Sequence, residues 1–234
     1  MNHQITPVGY VRSPYKEKFA VPRQPGLVTS AKSEIVLCGE ANNEESVRGI
    51  TQFSHLWLLF LFDQNIDKGW TPTVRPPRLG GNERIGVFAS RATFRPNAIG
   101  MSAVELKGIR KDGNQVIIEL GNVDLVDGTP IIDIKPYIPY SDSLPTAIGG
   151  FASDAPATLP VSFSESAIVF LDKQDESGNQ KQVITEVLAQ DPRPAYKKKG
   201  VDNKVYAVNL FNYNVRFQVS DDGIVVTDIE FFGE

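Results

Sequence analysis

The stretch that decides the fold is "MSAVELKGIRKDGNQVIIEL", residues 101–120. Side chains of opposite character alternate in its first half, and β-branched residues dominate its second half. This pattern predicts strands at 101–109 and 115–120, because strands place successive side chains on opposite faces. Between the two runs, "KDGN" (111–114) is typical of a hairpin turn. The stretch therefore predicts two neighbouring strands and a fold that is built from sheets.

Runs of the same character extend outward from this hairpin in both directions. Turn residues separate them, and they cover residues 5–12, 34–38, 55–62, 84–89 and 131–137. The one weak helix candidate before residue 140 is "NNEESVRGI" (42–50), which Asn42 or Asn43 could cap. Many strands with so few helices predict a barrel or a sandwich.

The character of the chain changes after residue 143. The segment 143–160 is rich in Pro, Gly, Ala and Ser and is typical of a linker. Two helical patterns follow at 162–174 and 179–190, and strand patterns follow at 204–211, 214–219 and 223–232. The sequence therefore predicts a first domain at 1–145 and a second, small α+β domain at 160–234.

Composition excludes several classes of site. Two histidines and one cysteine make a zinc site of nitrogen and sulfur ligands untenable. Neither the glycine-rich phosphate loop nor the Rossmann fingerprint occurs. No apolar run approaches the roughly 20 residues that a membrane span needs. A single cysteine, Cys38, is consistent with a reducing cytoplasm, and its strand-like surroundings favour a packed thiol.

Charge is distributed unevenly along the chain. The net charge is −4, yet residues 75–95 contain five arginines and one glutamate. Arginine, more than lysine, matches the oxygens of phosphate and carboxylate groups. This arginine-rich stretch overlaps a long Pro- and Gly-containing loop at 67–84, and long ordered loops tend to be functional. The residues alone thus describe a soluble, mainly β protein with an arginine-rich loop.

Six segments, in order, carry a specific resemblance. They are "PRQPGL" (22–27), "FSHLWLLF" (53–60), "RPPRLGG" (75–81), "GVFASRATFRPNAIGMSAVEL" (86–106), "DLVDGTPIIDIKPYIPYSDS" (124–143) and "DPRPAY" (191–196). Together they resemble the TsaA-like (YaeB/TrmO) family of tRNA methyltransferases over essentially the full chain. The resemblance implies a mainly β fold with a single-sheeted β-barrel as the N-terminal domain and a small α+β C-terminal domain.

The resemblance also implies an activity. The family transfers a methyl group from S-adenosylmethionine to the exocyclic nitrogen of threonylcarbamoyladenosine, the modified base beside the anticodon, and needs no metal. It implies a cytoplasmic homodimer with the cofactor near the subunit interface. Two alternatives stay open: a related methyltransferase that acts on another adenosine derivative or a small molecule, and a non-catalytic RNA- or nucleotide-binding β-barrel.

By resemblance, four segments are expected to bind the cofactor. Arg23 would bind the donor's carboxylate, "DLVD" would lie against its adenine, and Arg91 would add a contact. The full set is Pro22, Arg23, Gln24, Asp63, Gln64, Arg91, Asp124, Leu125, Val126 and Asp127.

The acceptor is a urea-like nitrogen, so a group that accepts its proton should help. Histidine is scarce, and the candidates are Asp133, which would share a strand face with Lys135, and Asp127. The structural alternative is that Asp127 shapes the "VDGTP" turn and that Asp133 only pairs with Lys135.

Contacts with tRNA are expected at two places. Arg95, before a proline, would meet a phosphate or the threonyl carboxylate, and Asn97 would lie beside it in a turn that ends at Gly100. In the second domain, Arg193 would bind a phosphate and Tyr196 would stack on a base. The lysines at 197–199 would add electrostatic attraction or form a solvated loop.

Overall fold

The computed structural model describes residues 3–194, 197 and 202–233. Six strands pair in the order β1–β2–β7–β6–β3–β8 and return to β1, so that they form a closed barrel. These strands are β1 (Gly9–Arg12), β2 (Ser33–Leu37), β3 (His55–Leu61), β6 (Ile99–Asp112), β7 (Gln115–Leu120) and β8 (Pro130–Pro136). Every neighbouring pair is antiparallel, including the short pairing of β1 with β8.

The hairpin predicted at 101–120 is confirmed. Strand β6 begins two residues earlier than expected and pairs with β7 as far as Asp112 and Gln115. Gly113 closes the turn with a φ of 59°, a conformation that glycine adopts without steric cost.

Two local predictions were wrong. Only Ile85–Gly86 of the run 84–89 is a strand (β5), paired with β4 (Thr73–Val74), and Val87–Ala89 forms a 3₁₀ turn. The helix candidate at 42–50 also forms a 3₁₀ turn, Glu44–Val47, in which the Asn43 side chain accepts a hydrogen bond from the Glu45 N–H. Each segment is anchored to the protein at only one or two apolar positions, Val87 in the first and Val47 and Ile50 in the second, and neither has the repeated apolar positions of a regular strand or helix.

The barrel is a packed core, not a channel. Inward positions alternate with half-buried or exposed ones along each strand, and the fully buried side chains include Val11, Ile35, Leu56, Leu58, Ile118 and Ile131. Two inward positions near one end are polar instead: Ser33 and Ser102 are 3% and 5% exposed. Polar groups inside a small barrel need partners, so this end differs in kind from the rest of the core.

The C-terminal part contains a four-stranded sheet in the order β10–β11–β12–β9 and two longer helices. Its elements are β9 (Val161–Phe163), α3 (Glu165–Gln174), α4 (Asn179–Ala189), β10 (Asp202–Leu210), β11 (Tyr213–Ser220) and β12 (Gly223–Phe231). The predicted helices and strands are therefore confirmed to within a few residues. Two single-turn helices, α1 (Asp63–Ile66) and α2 (Pro139–Asp142), precede them.

The C-terminal sheet contacts the barrel through the segment that follows β1. Tyr15 forms an antiparallel bridge with Leu210, and the Phe211 N–H donates to the Pro14 carbonyl at 2.7 Å. Within the described ranges, every helix is too short or too polar to traverse a lipid bilayer.

Candidate active site

Three connections meet at one end of the barrel, which we call the mouth. Strands β1, β3 and β7 finish there and β2, β6 and β8 begin there, because neighbouring strands are antiparallel. The mouth connections are residues 13–32, 62–98 and 121–129. All ten residues that the resemblance assigns to the cofactor lie in these three connections. The topology thus gathers residues that are about one hundred positions apart in the sequence.

Two of these residues make direct contact. Arg91 Nη1 donates a hydrogen bond to Gln24 Oε1 at 2.5 Å, which joins the first mouth connection to the second. The positive charge of Arg91 also acts on Asp124, in the third connection. Arg91 thus bonds to Gln24 and lies within electrostatic range of Asp124, and these three residues, one from each connection, are called the mouth group.

Asp124 is the titratable centre of this group. Burial raises the pKa of its carboxyl above the usual range, while a hydrogen bond from Ser102, its own backbone and the charge of Arg91 oppose that increase. Raised carboxyl pKa values in clefts often mark functional sites. Among the described residues, its Oδ1 is buried without a hydrogen-bond partner.

A second set of polar side chains, Tyr15 and Asn122, lies near Asp124, and sequence reasoning missed it. The Tyr15 hydroxyl is fully buried and donates to Asn122 Oδ1 at 2.5 Å. Burial raises the pKa of Tyr15, and the nearby carboxylates of Glu186 and Asp124 add to the effect. Within the described part of the chain, Asn122 Nδ2 also has no partner. The site thus offers one unused amide donor and one unused carboxylate acceptor.

Arg23 lies beside the C-terminal domain. Burial lowers the pKa of Arg23, and the positive charge of Arg78 lowers it further, whereas the negative charge of Asp191 raises it. Arg78 and Asp191 therefore both lie within electrostatic range of Arg23. Asp191 in turn binds Arg193, whose Nε and Nη2 donate to its two carboxylate oxygens at 2.9 and 3.0 Å.

The expected role of Arg193 therefore needs correction. Its side chain is 5% exposed and bidentate on Asp191, so it does not present a phosphate-binding fork to solvent. It orders Asp191 beside Arg23 instead. Tyr196, and Lys198 and Lys199 with it, lie outside the described residues.

The turn before β6 also differs from expectation. Ala98, not Asn97 or Gly100, has the positive φ, at 50°. Gly100 is required for space: a Cβ there would lie 2.3 Å from the Phe60 ring. Arg95 donates from Nη1 to the carbonyl oxygens of Val87 and Ser90 at 3.3 and 2.8 Å, and Asn97 is exposed.

The candidate bases lie in different surroundings. Asp127 accepts from the Ser13 N–H at 2.9 Å and pairs with Lys16 at 2.8 Å, so it fastens the start of one mouth connection to the end of another. Asp133 lies on the wall of the barrel, where its side chain is 49% exposed and 3.6 Å from Lys135. Both contacts match the structural alternatives for these carboxylates.

The remaining cofactor candidates vary in exposure. Asp63 and Gln64 are exposed on α1, directly after β3. Val126 is half-buried, whereas Pro22 and Leu125 are buried, and Leu125 belongs to the hydrophobic core. Leu125 therefore has little surface to offer to an adenine ring, and it serves to anchor Asp124.

The histidine in the barrel lies away from the mouth. His55 begins β3 at the opposite end of the barrel and contacts the Ser54 hydroxyl at 2.9 Å. Across the described ranges, no cluster of three His, Cys, Asp or Glu side chains is arranged to hold a metal ion.

Comparison with known proteins identifies a family. The model of the tRNA-methyltransferase O N-terminal domain matches residues 10–143, and that of the TrmO C-terminal domain matches residues 156–232. An Escherichia coli K12 protein named tRNA (adenine(37)-N6)-methyltransferase is 54% identical over 231 residues, which are 97% of each chain. A Pseudomonas aeruginosa PAO1 protein named putative S-adenosylmethionine-dependent methyltransferase RcsF is 43% identical over 93% of each.

The fold agrees as well. The crystal structure of TrmO from Pseudomonas aeruginosa superposes with a TM-score of 0.80 at 37% identity, and the match covers 98% of this chain and 99% of that one. Both domain models match in order, and the similarity to these relatives extends over nearly the whole length. The chain therefore belongs to the tRNA-methyltransferase O family.

Proposed function

We propose that this protein is an S-adenosylmethionine-dependent methyltransferase that modifies an adenine of tRNA. The names of its relatives support this activity, and one structural observation carries it: Gln24, Arg91 and Asp124 converge from three connections at the barrel mouth. This convergence places a guanidinium and a carboxylate where a small zwitterionic molecule can bind both.

The residues present fit the donor. S-adenosylmethionine supplies an activated methyl group on a sulfonium, together with a carboxylate, an ammonium and an adenine. Arg23 and Arg91 are suited to the carboxylate, since a guanidinium fork matches it in a bidentate manner. The unpartnered Asp124 Oδ1 and Asn122 Nδ2 suit groups that donate and accept hydrogen bonds, respectively. Asp63, Gln64 and Val126 complete the surroundings from the mouth connections.

The acceptor that we propose is the exocyclic nitrogen of threonylcarbamoyladenosine. This base carries a carboxylate tail, and the arginine-rich connection 62–98 provides the complementary charge. Methyl transfer to a urea-like nitrogen is slow, so alignment with the donor contributes much of the acceleration. Arg95 and Asn97 lie on the same connection as Arg91 and face the substrate side in this proposal.

Removal of the acceptor's proton falls to a carboxylate. Asp127 already binds Ser13 and Lys16, whereas Asp133 is half-exposed and its pairing with Lys135 is long. This difference supports Asp133 as the base and Lys135 as the group that tunes it. Turnover at saturating donor should fall in Asp133→Asn. In Asp127→Asn it should fall only as far as that variant is less well folded. Equal turnover of the folded fraction in both variants would contradict the assignment of Asp133 as the base.

We also propose that the enzyme is a cytoplasmic homodimer, with residues 1–145 as the methyltransferase domain and residues 160–234 as a domain that contacts tRNA. The outer face of β3 and β6 supports the dimer, because Met101 is 56% exposed there beside half-buried Leu59 and Ile99. Asp133 pairs with Leu59 on this face, so dimerisation would bring the candidate base close to a second protomer.

The decisive experiment is methyl transfer from labelled S-adenosylmethionine to tRNA with and without the threonylcarbamoyl group. Arg91→Ala should lose donor affinity by about 10- to 100-fold, since hydrogen bonds to charged groups are worth about 1.5–3 kcal/mol. Arg84→Ala is the matched control, because Arg84 is an exposed arginine in the same connection that contacts only Thr73 among the contacts described. Donor binding without transfer to any tRNA would favour a different acceptor, and no donor binding would favour a nucleotide-binding barrel.

A further inference from the structure

An exposed aromatic ring lies three residues from Arg91. Phe88 is 76% exposed, and it follows Val87, which is 2% exposed and anchors the 3₁₀ turn Val87–Ala89 in the protein. Its Cα is at most about 11 Å from that of Arg91, because consecutive Cα atoms are 3.8 Å apart. The ring therefore belongs to the surroundings of the candidate active site.

One face of the ring is in contact with Arg95. The Arg95 guanidinium lies over it, with 5.9 Å from the Arg95 Cζ atom to the ring centroid. The same guanidinium donates to the carbonyls of Val87 and Ser90, so it is itself tied to the turn that carries Phe88. A cation over an aromatic face is attractive, and here it orients the ring while most of the ring surface stays in solvent.

Phe88 and Arg95 border a small cavity. Its volume is about 220 Å³, and its lining consists of Phe88, Arg95, Pro96, Asn97 and Ile99. The walls are apolar apart from one guanidinium and one amide. A flat ring with hydrogen-bonding groups along its edge matches such a lining, since its faces can stack on Phe88 while its edge meets Asn97 or Arg95.

The positive charge around the cavity favours an occupant that carries negative charge. Residues 75–95 contain five arginines and one glutamate, which leave a local net charge of +4 in a chain whose total charge is −4. Phosphate groups are attracted to such a positive surface even though the chain as a whole is acidic. A nucleobase within a nucleic acid matches both features, because the base can stack on the apolar ring while the phosphates bind the positive surroundings. A neutral protein surface would match the apolar ring only.

We propose that Phe88 is a stacking platform for an unpaired nucleobase of the tRNA anticodon loop that flanks the methylated adenine. This inference rests on the proposed function, and it assigns to that function a base subsite formed by Phe88 with Arg95 and Asn97. Unpaired bases are recognised by stacking on aromatic side chains, and every base has a face that can stack.

The first test separates stacking from donor binding. Phe88→Ala should raise KM for tRNA roughly 5- to 150-fold, because a stacked base is worth about 1–3 kcal/mol. Phe88→Trp should stay within about twofold of wild type, since an indole also stacks. The Kd for S-adenosylmethionine should be unchanged in both. Phe53→Ala is the control: Phe53 is 38% exposed but lies just before β3, at the end of the barrel opposite the mouth, and its loss should leave KM unchanged.

The second test does not depend on catalysis. The wild type contains Trp57 and Trp70, so their fluorescence is subtracted from that of Phe88→Trp to give the signal of the new tryptophan. An anticodon stem-loop RNA should quench this signal, and a fully double-stranded RNA of the same sequence should not. Quenching without methyl transfer would leave the subsite in place and refute the proposed function. An unchanged KM in Phe88→Ala, or no quenching, would overturn the subsite. So would loss of a dimer in Phe88→Ala by light scattering, because a second copy would then cover the ring.

Discussion

At the scale of single residues, Asp124 has a cost and a use: its buried carboxyl lowers the stability of the free protein, and its unpartnered oxygen is suited to bind the donor. Its carboxyl is buried at the mouth with one oxygen unpartnered among the described residues, and burial raises its pKa in spite of Ser102 and Arg91. A group whose pKa is raised on folding stabilises the protein only while it is protonated. That contribution is complete below the unfolded pKa of about 3.9 and is lost as pH rises through the folded value.

Asp124→Asn should therefore stabilise the protein without donor, and the gain should grow as pH rises above about 4, where the unfolded carboxyl ionises. Donor affinity should fall at the same time by about 10-fold or more, because a hydrogen bond to a charged group is lost. Thermal melts from pH 4 to 8 and calorimetric titration with S-adenosylmethionine would measure both changes. A variant that is less stable at every pH would show that the carboxylate is already well paired in the protein.

Gly100 supports a second prediction at this scale. An added Cβ would lie 2.3 and 2.4 Å from two atoms of the Phe60 ring and 2.8 Å from Phe62. Gly100→Ala should cost about 1–3 kcal/mol of unfolding free energy, as overpacked cores do. Gly86→Ala is the matched control, because a Cβ there meets nothing within 4 Å and its φ is negative. Urea denaturation would compare the two; equal losses would mean that the ring moves aside freely.

At the scale of elements, helix α4 is fastened to the first mouth connection by one side chain. Glu186 accepts from the Ser30 N–H at 3.0 Å, from the Ser30 hydroxyl at 2.8 Å and from the Thr29 hydroxyl at 3.3 Å. Burial alone would raise the pKa of Glu186, but the hydrogen bonds from Ser30, Gln182 and Thr29 outweigh burial and hold the pKa below its usual range. The C-terminal domain thus fixes the segment that carries Arg23 and Gln24, in addition to any contact with tRNA.

Glu186→Ala should lower the unfolding free energy by about 1–3 kcal/mol, since it leaves several donors without an acceptor. Because the pKa is lowered on folding, the loss should be largest above the ordinary glutamate pKa of about 4.3 and should shrink as pH falls. The Kd for S-adenosylmethionine should rise several-fold as the loop loosens, while kcat at saturating donor changes little.

Glu176→Ala provides the comparison for this prediction, because Glu176 is exposed just before α4. Urea denaturation and calorimetric titration at pH 7 would be run on both variants. Unaltered donor binding in Glu186→Ala would show that the domain contact serves stability alone.

At the scale of the whole molecule, the barrel leaves one outer face incompletely covered. The exposed Met101 pairs with Leu59 across β6 and β3, and Leu59 pairs with Asp133 across β3 and β8. If this face forms the proposed dimer, a carboxylate at position 101 would be buried beside apolar groups and near Asp133, which is costly for a charge without a partner.

Met101→Glu should therefore shift the protein to monomers, with a dimer Kd at least about 10-fold higher, since an unpaired buried charge costs several kcal/mol. Val169→Glu is the control, because Val169 is 48% exposed on α3, away from the barrel face. Sedimentation velocity over a dilution series would measure the change. A dimer that tolerates glutamate at position 101 would place the interface elsewhere.

The sequence by itself determined the positions of most strands, the hairpin at Gly113, the two C-terminal helices and the family, because these depend on local periodicity, turn chemistry and ordered motifs. Tertiary structure alone decided which polar groups meet. Gln24 contacts Arg91 because antiparallel pairing brings three connections to one mouth, and Tyr15 reaches Asn122 for the same reason.

Tertiary structure also reassigned individual residues. The sequence predicts that Arg193 is an exposed phosphate ligand, but in the structure it is buried and bound to Asp191. The sequence predicts that Gly100 is needed in a turn, but in the structure it is needed to leave space for the Phe60 ring. The partner of Arg193 is only two residues away, but its burial, like the contact of Gly100 with Phe60, depends on groups distant in the chain, which a local pattern does not encode. Local periodicity and turn chemistry therefore determined the strands and helices, whereas the closure of the sheet into a barrel determined which polar side chains meet at the mouth.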